Sequence, residues 1–580
     1  MADPPMVAYF SMEIGLEPSM PTYAGGLGIL AGDTIRSAAD LDVPMVAVTL
    51  LHRHGYFYQR LDGEGRQREE PVAWTVEDFL EPLKPRVTVE IEGRPVQIRS
   101  WLYQVQGVLG SHVPVLLLDT DVPENSASDR TLTNDLYGGD QSYRLRQEAV
   151  LGLGGVKMLR ALGYEQIVRF HLNEGHAALL VAALFNERLT AEGLGETQVA
   201  ILNSVRDLCV FTTHTPVPAG HDQFSADLAR TILGNAMWEI LKRCGQETGL
   251  NMTDLALRGS RYINGVAMKH GEVSQSLFPS YPIHSITNGV HPVTWAAPSF
   301  QALYDRHLPD WRKDHLSLRY AISIPSAEIW DAHMAAKRIL VDTVNHELNA
   351  GFDWKVMMIG FARRAAAYKR GTLLFHDIQR LREIADKGGT FQLVFAGKAH
   401  PNDQAGKDMI REIYRMRDAL RGHIAVAYLT NYDMTLAKLL CAGVDVWLNT
   451  PLPPLEASGT SGMKAAINGV PSLSVLDGWW IEGHVEGVTG WAIGDRIEAC
   501  LEPAPGMDGC HADALYRTLA EKVLPCFYND HDRFVDMMRH TIALNGGFFN
   551  TQRMVEQYVH NAYRMPGPYG QQRYTKPGDK

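Results

Sequence analysis

The chain has 580 residues, 45% hydrophobic and 21% charged, with a net charge of −11 when histidine is neutral. At roughly 150 residues per domain this predicts two to four domains with a large core, and the acidic balance excludes a general nucleic-acid binder, which carries a basic footprint. It leaves room for an anionic ligand held by a few local cations, and no run approaches the ~18 uninterrupted apolar residues of a membrane span.

The first residues, MADPPMVAYFSMEIG, hold no basic stretch followed by an apolar one, so no secretory signal is expected. The six cysteines form no CxxC pair, which reads as scattered reduced thiols in a cytoplasmic protein. Tyr23–Asp33 (YAGGLGILAGD) follows no clear strand; its glycines suit close backbone approach to a ligand or a simple tight turn, and GGLG is not the GxGxxG spacing. Strands are predicted at Met45–Leu51, Val87–Ile91, Val113–Leu118, Ile167–Leu172 and Leu208–Thr213, with a helix over Gln147–Leu162 stopped by Gly163. Polar turns follow: His171–His176 (HLNEGH), Thr212–Pro216 (TTHTP) and Thr287–Gly289 (TNG). Such groups at strand ends read sugar hydroxyls or satisfy their own backbone. A zinc site from His171, Glu174 and His176 lacks the HExxH spacing, and no metal is expected.

Turn residues at Ile286–Pro292 (ITNGVHP) mark a boundary. Beyond it a helix is predicted at Ala327–Ala350, then strands at Met357–Phe361, Gln392–Ala396, Ile424–Leu429, Val444–Leu448 and Ser472–Leu476. Most are continuous apolar runs, as in strands covered on both faces. The order strand, loop, helix repeats as in βαβ units. The reading is α/β, with two doubly wound domains and a site in the cleft between them, outside the carboxyl ends of the strands. The tail Pro566–Lys580, rich in Gly, Pro, Gln and Lys, is expected to be mobile.

Two second-half segments carry charge. GFARRAAAYKR presents Arg363, Arg364, Lys369 and Arg370 after a strand, either as a clamp for one or two phosphates or as a solvated face. PLPPLEASGTSGMKAAINGV places Ser458, Gly459, Thr460, Ser461 and Gly462 before a helix predicted at Met463–Ile467. That is an anion site at a helix start or an ordinary cap with a solvated Lys464.

Together, EASGTSGMKAAINGV, ARRAAAYKRGTLL, FAGKAHP, LTNYD, TTHTPVPAG, ITNGVHP and AGGLG resemble the glycogen, starch and maltodextrin phosphorylase family, in its short bacterial and archaeal form. The resemblance implies a GT-B type fold: an N-terminal domain 1–290, a C-terminal domain 291–540, and a segment 541–580 packing back on the first. It implies phosphorolysis of α-1,4-glucan by inorganic phosphate, giving glucose 1-phosphate with retention, and pyridoxal phosphate carried on Lys464. It places Arg363, Gly459, Thr460, Gly26 and Tyr432 around that cofactor, and Arg364 and Lys369 on the substrate phosphate. Gly25, Leu27, His176, His214, Asn288, Glu456 and Ser458 fall to the sugar, with Lys464, Arg364, Lys369 and His214 central to catalysis. Long members read GTGNMK and KRIHEYKR where this chain has Gly459–Lys464 and Arg363–Arg370, so the His and Glu of the second motif are lost. Homodimers are common in the family, and its phosphorylation and nucleotide-effector control is not expected in a chain this short. The rival enzyme reading is a nucleotide-sugar-dependent GT-B glycosyltransferase of the glycogen or starch synthase kind. The rival non-enzyme reading is a glucan-binding scaffold.

Overall fold

The computed structural model describes residues 6–192, 197–217, 220–495 and 506–564; the tail expected to be mobile lies outside them. Two large sheets organise the chain. The first contains β1 (Met6–Ser11), β2 (Met45–Leu50), β5 (Glu81–Ile91), β6 (Arg94–Gln106), β7 (His112–Asp119), β8 (Ile167–Asn173), β9 (Cys209–Thr212), β12 (Tyr262–Gly265) and β13 (His284–Ser285). Their order is β13-β12-β9-β8-β1-β2-β7-β6-β5. The small hairpin of β3 (Tyr58–Leu61) with β4 (Gln67–Glu70) and the pair β10 (Gln223–Ser225) with β11 (Gly249–Asn251) stand apart from it.

Pairing is parallel from β13 through to β7 and antiparallel from β7 to β5. The cause of the change is local. Glu92 and Gly93 join β5 to β6 with both φ positive, at 52° and 72°, the two-residue turn that returns a strand on itself. Val87–Ile91 is therefore the end of a longer antiparallel edge strand rather than a buried parallel one. The first-half sequence also hides its central strand. β1 lies between β8 and β2, so the glycine loop does follow a strand, separated from it by a long connection.

The second sheet contains β14 (Met357–Ala362), β15 (Phe391–Ala396), β16 (Ala425–Leu429), β17 (Val446–Asn449), β18 (Ser472–Val475) and β19 (Gly490–Ile493). Every pair is parallel, in the order β16-β15-β14-β17-β18-β19. Alternate residues serve opposite faces. Met357, Ile359 and Phe361 join one apolar core while Met358 and Ala362 join another, which is why these strands read as unbroken apolar runs. The strand order reverses between β14 and β17, and a crevice opens at such a switch point beyond the carboxyl ends. The charged segments Arg363–Arg370 and Thr450–Thr460 are the loops that leave those two strands. The first sheet reverses between β1 and β8, so the glycine loop and the HLNEGH turn meet in the same way.

The predicted helix Gln147–Leu162 is an α-helix over Gln141–Ala149, a wider π turn at Val150–Gly154, and a helix at Gly155–Ala161, ended by Gly163 at φ 85°. The predicted Ala327–Ala350 runs from Ser326 to Leu348 and ends on left-handed Asn349. The helix Thr551–Gln557 and the turn after it return to the first sheet. Met554, Val555, Tyr558 and Tyr563 share a core with Val7, Tyr9 and Ile35, and Ser37 and Thr551 hydroxyls lie 2.6 Å apart. The described cysteines are all free, and no helix among the described residues is long and apolar enough to cross a membrane.

Candidate active site

Glu13 shapes the glycine loop. Its buried carboxylate accepts the N–H groups of Ala24 and Gly25 and the hydroxyl of Tyr137. Burial pushes its carboxyl up, against those bonds. A Cβ on Gly28 would stand 2.7 Å from Glu13 Oε2, so that glycine serves packing. Gly25 and Gly26 differ: a Cβ on either would meet nothing within 4 Å. Their backbone borders open space at the start of the helix Gly26–Asp40, which contains Leu27.

On the neighbouring strand end, Glu174 adopts φ 75° and gathers three donors: Gly175 N at 3.0 Å, His214 N at 2.8 Å and Thr215 Oγ1 at 3.0 Å. His214 Nε2 donates to Asn173 Oδ1 at 2.6 Å. His176 Nε2 accepts from Arg144 at 3.0 Å while its Nδ1 is unpartnered. Burial lowers both imidazoles to about 3, which keeps them neutral. His171 is fully committed, to Tyr563 and Thr212. With Glu174 also engaged, these residues make a hydrogen-bonded scaffold for His214. Asn288 is 3% exposed and its Oδ1 has no partner. Its backbone carbonyl and that of Thr287 accept from Arg553.

The second-half loops carry the charge. Lys369 Nζ lies 2.6 Å from both oxygens of Glu456, and Arg363 Nη2 lies 3.1 Å from one of them. The buried Arg363 keeps Nε and Nη1 unpartnered. Arg364 is exposed and lies within electrostatic reach of Tyr368 and of the first-half Tyr56 and Tyr137. Arg370 does not join this group. It turns to the carbonyls of Thr450 and Pro451 and to Asp508, so three cations of the run, not four, face the crevice.

Gly459, at φ 86°, caps a helix that begins at Thr460, earlier than the predicted Met463. Lys464 therefore sits inside the helix, 6% exposed, with Nζ 3.9 Å from the centre of the Trp295 ring. Burial lowers its ammonium, the condition that makes a lysine reactive toward carbonyl groups. Ser458 Oγ is buried and unpartnered. Tyr432 lies among Tyr23, Arg363 and Cys441.

These residues suit an anionic group bearing an aldehyde: an amine held without water, free guanidinium donors, and helix-start N–H groups. Trp295 and Glu13 were missed by sequence reasoning. Each carried a faint signal, the tryptophan just after ITNGVHP and an acid within an apolar stretch.

A family model described as carbohydrate phosphorylase matches residues 236–488. The chain is 39% identical to the maltodextrin phosphorylase of Thermococcus litoralis, over 96% of this chain and 70% of that protein. It belongs to the carbohydrate phosphorylase family. Other members include the glycogen phosphorylase of Mycobacterium tuberculosis, 38% identical over 97% of this chain and 71% of that one. That of Aquifex aeolicus is 34% identical over 96% and 86%. Phosphorylase family membership accounts for the parallel α/β sheets and for the motifs gathered at their switch points.

Proposed function

We propose that this phosphorylase removes terminal α-1,4-linked glucose from glycogen, starch or maltodextrin as α-glucose 1-phosphate, with pyridoxal phosphate on Lys464. The carrying observation is the pairing of a water-poor, low-pKa Lys464 with the Arg363, Arg364 and Lys369 cations at one switch point. In this reading two α/β domains, 1–290 and 291–540, face each other across the cleft, and the helical residues 551–563 pack back on the first sheet. A cytoplasmic homodimer is the form expected of it.

Arg363 and the Gly459 and Thr460 N–H groups would hold the cofactor phosphate. When bound, the cofactor supplies an acidic phosphate able to exchange a proton with the substrate phosphate. Arg364 and Lys369 bind orthophosphate and offset the repulsion between the two anions. Orthophosphate protonates the glycosidic oxygen, so the protein needs no side-chain acid of the kind two-carboxylate hydrolases use. As the C1–O bond breaks, the pair of electrons leaves with the glucan oxygen. The oxocarbenium-like carbon then takes a phosphate oxygen on the same face, which retains configuration. His214, neutral and held by Asn173 and Glu174, and Asn288 orient the sugar. Glu456 leaves part of its pairing with Lys369 and Arg363 to accept sugar hydroxyls. Gly25, Gly26 and Leu27, with His176 and Ser458, close around the ligands and exclude water, whose attack would release glucose instead.

The test is phosphate-dependent release of glucose 1-phosphate from maltodextrin, glycogen and starch. Glucosyl transfer from a nucleotide sugar with no phosphorolysis would establish the synthase-like rival, in which Lys464 has no role.

A further inference from the structure

We infer that Asp477 is a positioning residue for the reaction, fixing the backbone of Glu456 and the loop that leads from it to Gly459. This inference rests on the reading of Glu456 as a site residue. Asp477 lies just past β18, beside the loop that leaves β17. Its Oδ2 accepts the N–H of Glu456 at 2.9 Å and its Oδ1 accepts the N–H of Gly478 at 2.9 Å. It is 3% exposed, and among the described residues it forms no ion pair. Burial pushes its carboxyl up to about 7, against the pull of those two bonds. A buried carboxylate that no cation contacts is costly, and the charge of nearby Lys369 offsets only part of that cost.

The reason for a carboxylate here is geometric. Two backbone donors meet the side chain, one at each oxygen. An amide offers one acceptor oxygen and would turn its NH₂ against the other donor. Only a carboxylate satisfies both.

The next two residues mould the same loop. Trp479 N donates to Ser458 O at 2.8 Å. A Cβ on Gly478, at φ 55°, would lie 2.5 Å from Ser458 O, and one on Gly459 would meet Trp479 Cδ1 at 3.4 Å. The Asp477–Trp479 turn is thus a template against which Glu456, Ser458 and Gly459 are set. Glu456 in turn holds Lys369 and Arg363. Releasing the Glu456 N–H lets its carboxylate swing and loosens both cations.

The experiment uses the cofactor-loaded enzyme with Asp477→Asn and Asp477→Glu. Asp477→Asn is expected to keep its near-ultraviolet cofactor band and cooperative melting. Turnover per bound cofactor falls by about 10-fold or more, as misplacement on the ångström scale costs. The phosphate KM and the glucan KM both rise several-fold, since Glu456 holds the two cations and also accepts sugar hydroxyls. Asp477→Glu, which keeps two acceptor oxygens, recovers part of the loss. Hydrogen–deuterium exchange over residues 455–462 quickens in Asp477→Asn. That readout is independent of activity: faster exchange in a wild-type background that performs no phosphorolysis would sustain the positioning role and sink the proposed function instead. Unchanged exchange, or a loss of turnover that merely tracks lost cofactor with both KM values constant, overturns the inference. If Asp477→Asn does not fold, Asp477→Glu decides by the same measures, with a smaller shift expected and no shift overturning it.

Discussion

The two walls of the crevice are built from opposite materials. The first-half wall presents neutral groups: imidazoles of His214 and His176 held uncharged by burial, the amide of Asn288, and bare glycine backbone at Gly25 and Gly26, each set in place by a charged group bonded to it or its neighbour, such as Glu174, Arg144 and Glu13. The second-half wall is ionic: Arg363 and Lys369 paired with Glu456, exposed Arg364 on the same loop, and buried Lys464 on the helix that follows Gly459. A neutral polymer is read by directional hydrogen bonds, and phosphate by charge. The same switch-point geometry in two sheets thus offers hydrogen-bonding groups on one side and charge on the other, which is what the proposed sugar and phosphate sites would require.

The sharpest way to break this division is Lys464→Ala. Loss of the cofactor anchor should abolish the near-ultraviolet band and cost ~100-fold or more in glucose 1-phosphate release. Reductive fixation of the cofactor on Lys464 with borohydride should leave substantial activity, since glucan has no amine to displace the lysine. A band and activity that survive the alanine change would remove Lys464 from the site.

Next is Arg364→Ala, on the ionic wall. Losing a charge-assisted bond of about 2 kcal/mol corresponds to roughly 30-fold, expected mainly as a raised phosphate KM. If glucan KM moves instead, the walls have been assigned the wrong way round.

On the neutral wall, His214→Ala and Asn288→Ala should each lower turnover by about 10-fold through lost sugar hydrogen bonds. The cofactor band and the fold should survive. Aggregation or cofactor loss in both would mark these residues as structural.

The smallest effect tests neutrality itself. Folded His176 titrates at about 3 and an unfolded imidazole near 6.5. Between those values the unfolded chain binds the extra proton, so this contribution is full above pH 6.5 and fades as pH falls toward 3. The melting advantage of wild type over His176→Gln should shrink from pH 7 to pH 5, by about 2 kcal/mol. A constant difference would mean that folded His176 binds protons as the unfolded chain does, and a difference that grows toward pH 5 would mean that it is charged in the folded protein.

All ten predicted strands exist; most are buried on both faces and leave an apolar run that little else mimics, whereas Val87–Ile91 belongs to a half-exposed edge strand. β1 escaped because MVAYFS is short and sits beside an uninformative start. β6 escaped because it alternates at a half-exposed edge. The charged wall was legible, since cations without acids nearby in sequence stand out. Their partners were not: Glu456 lies 87 positions from Lys369, and only the order of β14 and β17 brings them together. Glu13, Trp295 and Asp477 act through backbone contacts and ring faces, which leave at most a faint pattern in a sequence.

The return of residues 554–563 to the first sheet has a consequence for synthesis. The core beside Val7, Tyr9 and Ile35 is closed by Met554, Val555, Tyr558 and Tyr563, made last among its members. At ~5–20 residues per second, the ribosome leaves that face uncovered for roughly 25 s to nearly 2 min. The early half emerges with a sticky flank throughout, and a nascent chain stalled before position 554 is a natural client for chaperones.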